Sequence, residues 1–338
     1  NMNQNYKEMN IHKSLYRGSS ESFAERLEKL DPTENYRGTE LGSLDAFQRQ
    51  LKRFDIQVGG SHSSTIEKFF QNGQSAVLFP EYLMRAVRQG MEENDPLSSI
   101  VAARTHISAV DYRGMTSDDS MEADVRSEGV ELPATTLSLK DKATTLNKRG
   151  RLLRASYEAL KYQRLDLFTV AMRRIGSEIA RCQMRDAVSV LTHGDGSTGS
   201  APKKLTTAGT TLAYSDLITL WSNFTAYQMN TLLVNPKTAA AILGLPAFAD
   251  PTTGLHFQNT GKLGSPLGAE MIVCDEVADG TIIALDRRYA LEMVVGDPVT
   301  VDFDRLIDCQ LERAAVSSTA GFSMIFPDAV KVMTLKTA

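Results

Sequence analysis

The residue types that could do chemistry are few in this chain, and their spacing serves none of the common reaction centres. The five histidines, His12, His62, His106, His193 and His256, include no H-E-x-x-H pair that would set two imidazoles on one helix face for zinc. No G-x-S-x-G elbow presents a serine nucleophile, and no G-x-x-x-x-G-K-[ST] loop could cradle a nucleotide's phosphates. Gly194 to Gly199, GDGSTG, formally satisfies G-x-G-x-x-G, but a dinucleotide site needs a strand before the glycines and a helix opening after them. Here a helical pattern precedes and Ser200-Ala201-Pro202 follows, so the segment reads as a loop joining two domains, with His193 and Asp195 as a loop pair. Cys182, Cys274 and Cys309 lie far apart in apolar contexts without a CxxC, which predicts three buried thiols and neither zinc nor redox chemistry. The expectation is a protein that is not an enzyme, with no catalytic residue, no cofactor and no metal.

Charge is patterned more strongly than nucleophiles are. Between Asp111 and Glu131 the acids Asp111, Asp118, Asp119, Glu122, Asp124, Glu128 and Glu131 oppose only Arg113 and Arg126; from Lys140 to Arg154 the bases Lys140, Lys142, Lys148, Arg149, Arg151 and Arg154 oppose only Asp141. Ile100 to Tyr112 reads as a strand, and Leu132 to Leu146 can pair back on it, so the two charge blocks fall on the two limbs of one long hairpin. Two readings stay open. The limbs pair with each other, each exposed ion pair contributing about 0 to 1 kcal/mol, or they complement neighbouring copies and set register and orientation between them. On the second reading Asp118, Asp119, Glu122, Glu128, Glu131, Lys140, Lys142 and Arg149 are candidate assembly residues.

The element that must position this hairpin follows directly. Ser156 to Leu191 contains no proline, and Tyr157, Leu160, Phe168, Ala171, Ile175, Ile179, Cys182, Ala187 and Val190 recur mostly at three- and four-residue steps, which predicts one helix roughly 50 Å long with a buried stripe. Ser156 is placed as its N-cap, and Gly194 as its left-handed exit. Gly176 inside it costs about 1 kcal/mol relative to Ala, so packing has to hold the helix there.

Around these two elements the rest falls into place. Residues 1 to about 20 are polar and aperiodic. Ser22 and Glu25 form a capping box before Phe23, Leu27 and Leu30, and Leu41, Leu44, Phe47, Leu51 and Phe54 make a second stripe. Neither helix can form a core alone, so their faces dock on the main body or on another copy. Gly59 to Ser64 is a joint, and Pro80 opens a helix running to about Gln89. Beyond Gly199 the chain predicts a helix at Tyr214 to Tyr227, a strand at Thr231 to Val234, and an Asn235-Pro236 turn into an alanine-rich helix. Strands follow at Glu270 to Cys274, Thr281 to Leu285, Leu291 to Val295 and Val299 to Phe303, then at Ile307 to Leu311, Gly321 to Phe326 and Val330 to Leu335. The last strands are expected to return onto the long helix, making its domain discontinuous.

The chain has 338 residues, 42% hydrophobic and 23% charged, with a formal net charge of −4. These values suit about two soluble domains. With no apolar run of membrane length and no signal segment, the chain is expected neither to span a membrane nor to be secreted. Mild acidity without an arginine-rich tail argues against sequence-independent nucleic-acid binding by bulk charge.

This order of elements resembles the major capsid protein of tailed phages, the Hong Kong 97 fold. Ser127 to Pro133 (SEGVELP) is similar to the far part of that family's extended loop. Arg154 to Leu160 (RASYEAL) is similar to the start of its spine helix, and Ile175 to Ala180 through His193 to Gly196 to the helix exit. Leu232 to Pro236, Leu263 to Gly268 and Phe326 to Ala329 are similar to phrases of its axial and peripheral domains. The resemblance covers roughly residues 75 to 338. It implies an α+β capsid fold with an N-terminal arm (1–75), an arm-to-loop connection (76–104), an extended β-hairpin loop (105–150), a peripheral domain with the spine helix (151–195 and 304–338) and an axial domain (196–303). It further implies a subunit that assembles with itself through pentamers and hexamers into an icosahedral or prolate head. Such a head encloses dsDNA without sequence-specific contacts, has portal, scaffold or decoration proteins as further partners, and is built in the host cytoplasm. Some family members join an extended-loop lysine to a neighbour's asparagine with a glutamate assisting. Lys140 and Lys142 lie in the right segment, but no Asn or Glu matches the motif, and no crosslink is expected. The alternative is an encapsulin-type nanocompartment shell enclosing a cargo enzyme; the long arm and extended loop favour the phage reading.

Overall fold

The computed structural model describes residues 9–16, 21–93, 95–108, 111–117, 125, 128, 135–156, 162–249, 265–306 and 311–337. The described strands are β1 Val101–His106, β2 Met115–Ser117, β3 Leu137–Leu139, β4 Asn147–Ser156, β5 Lys203–Thr206, β6 Thr231–Val234, β7 Glu270–Val273, β8 Thr281–Leu285, β9 Leu291–Val295, β10 Thr300–Leu306, β11 Leu311–Met324 and β12 Val330–Thr334. The chain divides into two units, one comprising Asn1–Asn94, Arg149–Ala180 and Val299–Ser318, the other Asp95–Lys148, Arg181–Pro298 and Thr319–Ala338. The long helix, Leu165–His193, and β11 contribute residues to both.

In the first unit, Phe23–Leu30 is a helix with both halves of the Ser22–Glu25 capping box made, and Ala46–Arg53 a second one boxed by Asp45 and Gln48. Their apolar faces dock on the chain's own body. Phe23, Leu27, Phe47 and Leu51 join Phe69, Phe79, Leu83 and Val87 in one core with Leu165, Met172 and Ile179 of the long helix and Val299, Ala314 and Val316 of the returning strands. There β10 runs antiparallel to the first part of β11, from Thr300↔Ser317 to Leu306↔Leu311.

A fully buried guanidinium ties the two N-terminal helices together. Arg49 donates from Nε to Asp31 Oδ2 at 3.0 Å, from Nη1 to Thr33 Oγ1 at 3.0 Å and Leu44 O at 2.5 Å, and from Nη2 to Asp31 O at 2.5 Å. It also lies over the Tyr36 ring, 4.6 Å from the centroid. A lysine keeps the charge but has neither the planar fork nor the stacking surface. Arg49→Lys is therefore expected to lower stability by about 2 kcal/mol, read as a lower denaturant midpoint with an unchanged slope.

The second unit holds two sheets. In one, β1 lies parallel to β9, and β9 antiparallel to the end of β11, with Ser323 opposite Glu292. The other has the order β5-β12-β8-β6-β7, with β6 and β8 buried along their whole length. Met184, Ala187, Val188 and Leu191 of the long helix pack with Leu291, Met293, Phe322, Met324 and Val332. Leu217, Leu220, Leu232, Val234, Ile242 and Ile282 form a third core on the far side of the second sheet.

Three expectations need correction. The long helix begins at Leu165, and Ser156 ends β4 instead of capping the helix; Tyr157 and Leu160 lie outside the described residues. The buried seam is Leu165, Met172, Gly176, Ile179, Ala180, Gln183, Met184, Ala187, Val188 and Leu191, whereas Ala171 is exposed. The strand expected at Ile100 to Tyr112 ends at His106 and pairs in parallel with β9, while the hairpin pairing is made by β2 and β3.

Candidate assembly site at the base of the extended loop

The hairpin register comes first, because it fixes which charges can meet. Met115 lies opposite Leu139 and Ser117 opposite Leu137. Towards the base, Lys140 N donates to Gly114 O at 3.0 Å and Thr144 N to Tyr112 O at 2.7 Å. Lys140 and Lys142 follow the last described pair on the base side, and of the acidic block from Asp118 onward Glu128 alone is among the described residues.

Lys140 turns inward. Its side chain is 6% exposed and faces an Asp195 carboxylate that is 5% exposed. Lys140 Nζ forms an ion pair with Asp195 Oδ2, donates to Ser323 Oγ at 2.9 Å and donates to the carbonyl of Met324. Asp195 also accepts from Ser197 N at 3.0 Å, Met324 N at 3.0 Å and Ser323 Oγ at 3.2 Å. Burial pushes the Asp195 carboxyl up, but the hydrogen bonds from Lys140 and Ser197, the lysine's charge and the Met324 amide outweigh it and hold the group down at about 2.

Asp141, next along, accepts from Thr198 N at 3.1 Å and Thr198 Oγ1 at 2.8 Å. Those hydrogen bonds hold its carboxyl below the usual range. The GDGSTG segment is thus a clamp on the returning limb of the hairpin within the second unit. Gly194, Gly196 and Gly199 take φ of 84°, 85° and 74°, the left-handed region that glycine adopts without strain. His193 is no partner of Asp195; its Nδ1 lies 3.2 Å from Ser189 O.

The hairpin base also lies close on the end of β11. A Cβ at Gly114 would fall 2.6 Å from Ser323 Oγ, and one at Gly321 2.4 Å from Thr145 O. Tyr112 donates from its hydroxyl to Glu292 Oε1 at 2.6 Å. Above this base, Met115, Leu137 and Leu139 share one face and are 63%, 58% and 67% exposed. An anchored hairpin that shows its apolar face to water is a surface in want of a partner.

Of the other candidate residues, Glu128 and Lys142 are exposed, and Arg149 is half-buried with a partner in its own chain. Asp118, Asp119, Glu122 and Glu131 lie outside the described residues. Spacing missed Ser323 and Glu292 altogether and offered Asp195 only as a loop partner of His193, a lone aspartate in a glycine-rich loop being the local signal. Cys274 is buried, Cys182 half-buried, and Cys309 lies outside the described residues. Among the described residues no group of His, Cys, Asp and Glu side chains is placed to hold a metal, and no helix is long and apolar enough to cross a membrane.

Comparison with solved structures places this mixed helix and sheet architecture. The capsid of a native GTA particle is 17% identical, with a TM-score of 0.56 over 71% of this chain and 90% of that one. A virus-like particle from Pyrococcus furiosus is 17% identical, with a TM-score of 0.52 over 75% of this chain and 99% of that one. Microbacterium phage Oxtober96 gives 11% identity and a TM-score of 0.52 over 72% and 91%. At such identities the likeness is one of fold, and the fold is that of Hong Kong 97-like capsid proteins. Residues 140–320, more than half of the chain, match the family described as phage capsid protein, and the chain belongs to that family. No curated protein matches the sequence.

Proposed function

We propose that the chain is the repeating subunit of a phage head, joining copies of itself through the extended loop into a closed shell around dsDNA. The observation that carries this reading is the hairpin: clamped at its base by Lys140, Asp141 and Asp195, it presents Met115, Leu137 and Leu139 outward. A single chain leaves that face wet, and a symmetric assembly covers it once per subunit. Pentamers and hexamers assembled in a host cytoplasm, with portal, scaffold or decoration proteins added, complete the reading. DNA is enclosed without sequence-specific contacts, as the chain's net charge of −4 suits.

Electron microscopy and sedimentation of the purified chain test it. Wild type is expected to form rings or shells, and Leu137→Asp with Leu139→Asp to remain a folded monomer with an unchanged melting temperature. A wild-type chain that sediments as a monomer over a wide range of concentration and salt overturns the reading. Shells that carry a protein cargo and no nuclease-protected DNA would instead mark a nanocompartment.

A further inference from the structure

We infer that the aromatic cluster of Tyr227, Tyr289 and Phe326, within the second unit, docks a proline-rich segment of a partner protein, with a basic residue of that segment set against Asp328. The inference does not depend on self-association. Three separate stretches bring the rings together: Tyr227 follows the Tyr214–Ser222 helix, Tyr289 lies in the turn between β8 and β9, and Phe326 lies between β11 and β12. The Tyr227–Tyr289, Tyr227–Phe326 and Tyr289–Phe326 centroids are 5.6, 6.2 and 6.5 Å apart, with interplanar angles of 58°, 31° and 63°. Tyr227 and Phe326 pack on the core that holds Leu291, Met324 and Val330, and Tyr289 is 43% exposed. One buried carboxylate fixes the arrangement. Asp286 accepts from Gln228 N at 3.0 Å, next to Tyr227, from Asn230 Nδ2 at 2.7 Å, and from Arg288 Nε and Nη2 at 3.0 and 2.8 Å, next to Tyr289. Phe326 N donates to Tyr289 O at 3.2 Å, which ties the third ring to the same turn. Among the described residues neither the Tyr227 nor the Tyr289 hydroxyl has a hydrogen-bond partner.

Rigid rings with free hydroxyls suit one kind of peptide. A polyproline II strand presents apolar pyrrolidine rings to aromatic faces, and its carbonyls, which make no internal hydrogen bonds, accept from tyrosine hydroxyls. Two residues of that helix advance about 6.2 Å, which matches the 5.6 to 6.5 Å between the rings. Nucleobases stack on such rings too, but their phosphates need unpaired cations close by. Here Arg288 is paired with Asp286, Arg287 with Glu270 at 2.9 Å and Lys331 with Asp328 at 3.0 Å. The Asp328 side chain is 86% exposed, and Lys331 takes only its Oδ1. Its charge reaches the cluster: burial first, then Asp328, Tyr289 and Asp286 push the Tyr227 phenol up. A proline-rich strand with a basic flank meets both the rings and this carboxylate.

Fluorescence anisotropy of labelled peptides titrated with the purified chain tests this. Octaproline is expected to bind, octaproline with a terminal arginine about threefold more tightly, and octaproline with a terminal glutamate more weakly, as one exposed ion pair allows. Tyr289→Ala is expected to melt like wild type and to lose at least about tenfold in affinity. Asp328→Asn should bind octaproline as wild type does and abolish the preference for the arginine. The docking is overturned if octaproline does not bind, if octa-alanine with a terminal arginine binds as tightly as its proline counterpart, or if folded Tyr289→Ala binds like wild type. A single-stranded oligonucleotide that displaces octaproline from the cluster at lower concentration than unlabelled octaproline does would overturn it in favour of nucleic acid. Shell formation by the wild-type chain is a separate measurement, so the proposed function stands or falls on its own.

Discussion

Gly176→Leu is expected to give no folded subunit, and even Gly176→Ala to lower stability by about 2 kcal/mol or more. Helix propensity alone points the other way, since alanine in place of a mid-helix glycine contributes about 1 kcal/mol. The geometry decides. A Cβ at Gly176 would fall 2.0 Å from Val87 O, 2.9 Å from Val87 C and 3.0 Å from Met91 N, while a Cβ at Gly90 would fall 2.0 Å from Arg173 O. The two glycines face each other across the crossing of the long helix and the Phe79–Glu92 helix, and the backbones meet where side chains would normally hold them apart. One methyl group must push the helices apart and open the packing of Leu83, Val87, Met172 and Ile179 in the first core. Thermal melts of the subunit by circular dichroism, alongside soluble yield, check the sign. Gly73→Ala, with nothing within 4 Å of its Cβ, is the control and should melt like wild type. A Gly176→Ala subunit that melts higher than wild type would falsify the helix crossing.

That crossing also shows how far the fold could be read from residues alone. Gly176 announced that packing must hold the helix, but nothing local named Gly90 as the opposite wall. Features set by neighbouring residues were legible: the Ser22–Glu25 box, the Asn235-Pro236 turn into a helix, where Asn235 Oδ1 accepts from Thr238 N at 2.7 Å, and the Gly194 exit whose N–H reaches Val190 O at 2.8 Å. Features set by distant pairing were not. β4, Asn147–Ser156, is rich in Lys and Arg and a poor strand former, yet it is held in the sheet by β11. That pairing erased the expected start of the helix. The actual start follows Arg164, whose guanidinium is fixed on Ser63 Oγ at 3.2 Å and Ser61 O at 2.6 Å. The seam slipped for a related reason. Met172, Met184 and Gln183 are buried, but the seam runs through Gly176 and Gln183, which carry no apolar signal, so Phe168, Ala171 and Ile175 drew the stripe towards a neighbouring face.

The candidate site was legible in composition and opaque in geometry. Split charge marked the hairpin as special, and Glu128 and Lys142 are exposed. Which lysine turns inward depends on Asp195, 55 residues further on, and on a carbonyl at the end of β11. No spacing rule connects these. The glycine-rich loop looked like a connector because its function is to bend; its three left-handed glycines are what bring Asp195 and Thr198 to the hairpin.

Lys140→Met is expected to destabilise the subunit by about 3–5 kcal/mol at neutral pH, because it strands the Asp195 carboxylate in a site from which water is excluded. The pH dependence separates this from simple loss of packing. In wild type the Asp195 carboxyl is held at about 2, below its ordinary value of 3.8. The pair's contribution is therefore complete above about pH 4 and lost as pH falls through 2; a shift of this size corresponds to roughly 2 kcal/mol. Asp286 behaves alike: burial opposes its ionisation, but hydrogen bonds from Arg288, the Gln228 amide and Asn230 hold it at about 2. The acid loss of wild type thus includes both groups, and Asp195→Asn isolates one of them. Without Lys140 the carboxyl of Asp195 rises from its wild-type position, since burial is then opposed only by the Ser197 and Met324 amides and the Ser323 hydroxyl. The Lys140→Met deficit should shrink as pH is lowered from 7 towards 4, even while wild type holds its stability. Denaturant titrations of both chains across that range measure it. Lys140→Met combined with Asp195→Asn should recover part of the loss at pH 7, because no charge is then buried alone. A deficit that stays constant from pH 7 to 4, unrelieved by Asp195→Asn, would mean that the clamp holds the extended loop by shape and not by this ion pair.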